Sequence, residues 1–125
     1  MVTLRPDCQC VDGKARVKVV ALFSRANSFV LQKDTNNLEL LRHEQIHFDI
    51  VEVYARLCRR ELKTLDLPCS KMQSLQTMVK YYRLMQHAEN EKYDKETNHY
   101  NNKEEQERWS KDVARRLVEL AIYRI

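Results

Sequence analysis

Apolar residues recur along most of this chain at spacings of three and four, and only near its start does the pattern shorten to a β-branched run. That run is ARVKVVALF, Ala15 to Phe23, which reads as the one clear strand region, preceded by a polar opening containing Gly13 and continued beyond Asn27 by SFVLQ. In DTNNLEL, Asn36 and Glu39 have the form of a capping box and open a helix. Its apolar face is predicted to hold Leu38, Leu41, Ile46, Ile50, Val53 and Leu57, with an end near Leu65 to Pro68. Ser70 and Gln73 suggest a second cap, after which Met72, Leu75, Met78, Val79, Tyr82 and Met85 carry a helix to about Asn90.

The polar segment KYDKETNHYNN, Lys92 to Asn102, breaks this periodicity and is expected to be a loop or a frayed helix end. A third cap at Asn102 and Glu105 then opens a last helix bearing Trp109, Val113, Leu117, Leu120 and Ala121. The expected architecture is α+β, a short sheet beside three helices, forming a single domain over residues 1–125.

Composition agrees: 43% hydrophobic and 32% charged residues with one Gly and two Pro describe a helix-rich globular chain. No apolar run is long enough to span a membrane. The 22 basic and 18 acidic residues give a net charge of +4 spread along the chain, an argument against nucleic acid as a partner. The pairs Arg59-Arg60 and Arg115-Arg116 read as solvated helix faces. Of four cysteines, Cys8 and Cys10 stand too close to pair with each other. Cys58 and Cys69 flank the turn at Pro68, where a bridge and two free thiols are both compatible with the spacing.

The first helix carries the chemistry. His43, Glu44 and His47 form HExxH, and residues four apart on a helix project from one face about 6 Å apart. Two neutral imidazoles suit Zn2+, and a glutamate beside the first can reach a water in the open coordination position. The chemistry this spacing permits is hydrolysis of a peptide bond, with Glu44 taking a proton from the water and delivering it to the leaving amine. Catalytic zinc takes three protein ligands, so a third is needed from elsewhere in the chain. His99, in the polar segment, is the first choice, with Asp94 and Glu96 as rivals, either as ligands or as groups that orient an imidazole. Glu52 is turned away from the histidine face and fits an ion pair with Arg56, while His87, alone on the second helix, reads as a surface residue.

The segments LLRHEQIHFDIVEVYAR and YDKETNHYNNKEEQERW together resemble the bacterial family called domain of unknown function 922, regarded as secreted zinc-dependent proteases. The resemblance covers roughly Leu40 to Trp109. It implies a zincin-like metallopeptidase with one zinc per chain, His43 and His47 as ligands, Glu44 as base, and added weight for His99 as third ligand. It also implies that Asp49, Glu52 and Arg56 support the site and that Gln106 and Trp109 fix the last helix against it. Tyr100 or Tyr93 would offer a hydroxyl to the developing oxyanion, beside a plain packing role for either ring.

The implied partner is a peptide or protein substrate, and the implied location is extracytoplasmic, with the cysteines as minor support. The first residues show no signal-peptide core, so the expected export signal lies outside this stretch. Two other readings fit the same residues: a metal- or peptide-binding module without turnover, and a helical interaction protein with incidental histidines.

Overall fold

The computed structural model describes residues 2–23 and 37–125. Its elements in chain order are strands β1 (Val2–Val11) and β2 (Lys14–Phe23) and helices α1 (Leu38–Leu62), α2 (Met72–Thr97) and α3 (Lys103–Glu119), with short 3-10 turns at Cys69–Lys71 and Ala121–Tyr123. The α+β class is as expected, but β1 is a second strand. The two strands pair antiparallel from Val2 opposite Phe23 to Val11 opposite Lys14. The turn between them is Asp12-Gly13, with φ of 50° and 77°. Positive φ at both central residues is the geometry whose twist matches a two-residue hairpin, and Asp-Gly is a preferred pair for it. The continuation of the strand in SFVLQ and the cap at Asn36 fall outside the described residues; at the helix start it is Asn37 whose side chain accepts from the Leu40 amide, at 3.0 Å.

Helix α1 is central because both of its flanks are apolar. Val51, Ala55 and Cys58 pack with Val2, Leu4 and Val19 of the hairpin and with Val79 of α2. Ile46, Ile50 and Val53 pack on the other side with Tyr93, Trp109, Val113 and Leu120. Leu38, predicted to face the core, is 72% exposed; it lies in the first helical turn, and the buried face begins at His43. The second helix opens through the 3-10 turn without a side-chain cap, so Ser70 does not serve that role.

The charged residues need a similar correction. Arg60 and Arg115 are exposed, but Arg59 and Arg116 are not. Arg59 donates to the Val19 carbonyl at 2.8 Å, to Glu52 and to the Tyr123 carbonyl, both at 3.0 Å. Arg116 pairs with Glu89 at 3.0 Å and lies over the Tyr54 ring. An arginine can bury its stem while five fixed N–H donors reach backbone carbonyls, which is what Arg59 does between β2, α1 and the C-terminal turn.

The disulfide joins Cys10 to Cys69, not Cys58 to Cys69. Cys58 is fully buried as a free thiol, and burial pushes its pKa up to about 12. Pairing of β1 with β2 places the hairpin tip against the chain before α2, where Ala15 donates to the Leu67 carbonyl at 2.9 Å and Cys69 to the Gly13 carbonyl at 3.1 Å. The bridge therefore closes an interval of 59 residues that contains all of α1.

Candidate metal centre

The polar segment expected as a loop or a frayed helix end is helical as far as Thr97. Helix α2 is continued by its own packing: Tyr93 and Thr97 are completely buried, and the Thr97 hydroxyl donates to the Tyr93 carbonyl at 2.7 Å. The chain then turns through Asn98, His99 and Tyr100, with φ of 47°, 52° and 78°. Asn98 is the left-handed C-cap, a role open to asparagine as well as glycine. Asn102 then caps α3 by accepting from the Glu105 amide at 3.1 Å, as predicted.

Because α2 runs on, Asp94 faces α1. Its Oδ1 lies 2.7 Å from Nε2 of His43 and 2.6 Å from Nε2 of His47. His43 is 2% exposed, and the rings of the two histidines lie edge to face, 4.9 Å apart. His43, Glu44 and His47 each offer one ligand atom, and these atoms lie within 4.8 Å of one another.

The opposite ring nitrogens are held by amide oxygens. Nδ1 of His43 lies 2.9 Å from Oε1 of Gln106, and Nδ1 of His47 lies 2.5 Å from Oδ1 of Asn90. Which end of each amide faces the ring follows from its other partners. Gln106 Nε2 donates to the Tyr93 hydroxyl at 2.7 Å, and that hydroxyl donates to the His43 backbone carbonyl at 3.0 Å. Asn90 Nδ2 donates to the Gln86 backbone carbonyl at 3.1 Å and to Gln86 Oε1 at 2.8 Å. A backbone carbonyl only accepts, so both chains run in one direction and each Nδ1 must carry the proton.

Each Nε2 therefore turns toward a single carboxylate oxygen. Three electron-rich atoms at these distances are satisfied in two ways: by a proton on each Nε2, or by a cation among them. The protonated form is reflected in His47, where burial lowers the pKa but the hydrogen bonds to Asp94 and Asn90 outweigh it and raise the value above 6.5. In Asp94 burial raises the pKa, and the hydrogen bonds from His43 and His47 override it to hold the carboxyl well below its ordinary range. Two imidazoles gathered this closely with the carboxylate of Glu44 make a group that could hold a metal ion.

The other predicted site residues are placed as follows. His99 sits at the rim, its side chain 74% exposed and its Nδ1 3.8 Å from Asp94 Oδ1. Glu96 faces away, accepting from Arg108 at 2.6 Å and from the Trp109 ring nitrogen at 3.0 Å. The Tyr93 ring stacks on His43, with centroids 4.5 Å apart, and its hydroxyl is fully engaged. Tyr100 lines a separate cavity of about 140 Å3 with Arg42 and Gln106. Glu52 pairs with Arg56 at 2.7 Å, as predicted, and Arg56 reaches the Leu117 carbonyl at 2.6 Å; the pair braces α1 against α3 without touching the histidines. Asp49 accepts from Gln45. Gln106 and Trp109 do fix α3 beside the site.

An open cleft of about 330 Å3 is lined by Val2, Glu44, His47, His87, Asn90, Glu91 and Asp94. His87, expected as a plain surface residue, is part of its wall. Sequence reasoning passed over Asn90 and Gln86, although Gln86, Asn90 and Asp94 recur every four residues on one stripe of α2.

The family model described as bacterial protein of unknown function (DUF922) matches residues 4–100, and the chain belongs to that family. No curated protein and no solved structure matches it. The matched span ends before α3, so it holds the histidine pair and Asp94 but leaves out Gln106, which secures His43.

Proposed function

We propose that this member of the DUF922 family is a zinc-dependent, zincin-like peptidase in which His43, His47 and Asp94 hold the ion and Glu44 acts as general base. The single observation that carries the reading is the convergence of both Nε2 atoms on Asp94 Oδ1, at 2.7 and 2.6 Å, with both Nδ1 atoms committed to amide oxygens. Asp94 takes the place of His99 as third ligand because it already meets both imidazoles, whereas His99 does not. Tyr100 lines a neighbouring cavity, its ring centroid 6.0 Å from that of His43, and the proposed chemistry does not require its hydroxyl.

A zinc ion held by His43, His47 and Asp94 would supply Lewis acidity, which polarises a carbonyl and lowers the pKa of water. Glu44 lies on the cleft wall beside His47 and Asp94, where its carboxylate receives the proton of the attacking water and returns it to the departing amine. Gln106 and Asn90 keep both imidazoles in the tautomer whose Nε2 lone pair faces Asp94. Tyr93 closes the floor beneath His43 and keeps water from its buried face. The disulfide supports an oxidising, extracytoplasmic location.

The test is metal content by inductively coupled plasma mass spectrometry, combined with hydrolysis of an unfolded protein mixture followed by peptide mapping. About one zinc per chain is expected in the wild type, with cleavage; Glu44→Gln keeps the zinc and loses the cleavage. A protein that takes up zinc and cleaves nothing, with or without Glu44, is a binding module, and one that takes up no zinc has only incidental histidines.

A further inference from the structure

Gln86 is completely buried on α2, and its Nε2 has no hydrogen-bond partner among the described residues. Leaving a buried amide donor unpaired is costly, so an apolar residue would be the more stable choice there unless the other end of the amide is needed. That other end, Oε1, accepts from Asn90 Nδ2 at 2.8 Å, closer than the 3.1 Å to the Gln86 backbone carbonyl. Asn90 in turn presents Oδ1 to Nδ1 of His47 at 2.5 Å.

From this chain we infer that Gln86 is a positioning residue for the metal centre: its side-chain oxygen joins its backbone carbonyl in holding the orientation of the Asn90 amide, which keeps the proton on Nδ1 of His47 and leaves Nε2 free to bind a cation. The inference rests on the metal-binding part of the function proposed above. It assigns a task to the stripe formed by Gln86, Asn90 and Asp94. Asp94 faces the metal pocket, Asn90 sets the tautomer of one imidazole, and Gln86 prevents that amide from turning over. If Asn90 turned over, its NH2 group would face Nδ1, the proton would move to Nε2, and proton and cation would compete for one lone pair.

A purely structural role and a positioning role predict opposite outcomes for Gln86→Leu. The substitution removes the orphan donor together with the acceptor, so the metal-free variant is expected to unfold at the same temperature as the wild type or higher. Zinc affinity, measured by competition with a chromophoric chelator, is expected to fall about 10-fold or more, the range for residues that support a ligand. The visible spectrum of the cobalt-substituted protein should change with it. In the zinc-loaded wild type, the His47 Nδ1 proton should appear in a long-range 1H–15N spectrum and exchange slowly with water, and in Gln86→Leu it should exchange faster. Gln86→Glu retains an acceptor for Asn90 and is expected to recover most of the affinity, whereas Gln86→Met, closer to glutamine in shape and without the amide oxygen, is expected to lose it as the leucine variant does and serves if that variant does not fold. Unchanged zinc affinity and an unchanged cobalt spectrum in Gln86→Leu and Gln86→Met would overturn the inference while leaving the metal centre intact. A wild type that binds no zinc would overturn both.

Discussion

The ring of Tyr93 lies flat against that of His43, with centroids 4.5 Å apart and planes inclined by 18°, while its hydroxyl donates to the His43 carbonyl. One side chain thus fixes both the ring and the backbone of the first histidine. Tyr93→Phe keeps the stack and removes the hydroxyl, leaving the Gln106 amide without its acceptor and the His43 carbonyl with only its helical bond. A loss of about 1–3 kcal/mol is expected in urea unfolding, together with weaker zinc binding because Gln106 is no longer held to Nδ1. An unaffected midpoint would show that water replaces the hydroxyl without cost.

Asp94 and His99 make different predictions as third ligand. Asp94→Asn should reduce zinc affinity by orders of magnitude, because the carboxylate meets both imidazoles, and His99→Ala should change it only a few-fold. Calorimetric titration of the two variants decides between them, and the reverse ranking would return the ligand role to His99.

The metal-free protein should lose stability as the solution turns alkaline. His47 has its folded-state pKa raised above 6.5, so its contribution is complete below that pH and fades as the pH rises through the higher folded value. Asp94 has its value lowered from 3.8, so its contribution is present above that pH and fades only on stronger acidification. The joint contribution of these two groups is therefore greatest between about pH 4 and 6.5. Zinc reverses the upper limb, since it binds neutral imidazole and gains affinity as protons leave. Thermal melts across pH 5 to 9 with chelator or with zinc should give slopes of opposite sign.

The cysteines should separate into three kinds. Cys8 is free and half-buried and should alkylate in the folded protein, whereas Cys58, with its thiol at about 12, should react only after unfolding. The Cys10–Cys69 bridge constrains an interval of 59 residues, for which loop-closure entropy gives about 4 kcal/mol. Cys10→Ser with Cys69→Ser should lower stability by roughly that amount, and a much smaller loss would mean that the hairpin tip is held mainly by its backbone bonds.

Helix periodicity made α1 and α3 legible in the sequence, and with them the histidine pair, Glu44 beside it and the Asn102 cap. Strand β1 was missed because Pro6, Asp7, Gln9 and two cysteines dilute its alternation, although Asp12-Gly13 was a hairpin signal in plain sight. The end of α2 was missed because polar composition was taken as a break, when Tyr93 and Thr97 repeat at the helical spacing and are buried. The pairing of Cys10 with Cys69 depends on strand register, which no local spacing contains. Asn90 and Gln86 were invisible for a similar reason: a buried amide matters through what it faces, and that is set by how two helices meet.

Helix α1 has the hairpin and α2 on one flank and α3 on the other, and it carries both histidines. An element clamped on two sides opens only when the whole molecule does, so its amides should be the slowest in the chain to exchange with deuterium. The wall opposite has the same footing: Val2, at the end of the hairpin far from the disulfide, lines the cleft beside Glu44 and is itself packed against Val51 and Val79. Both sides of the cleft thus stand on one core, so that its width is set by the fold as a whole and not by any part that could swing alone.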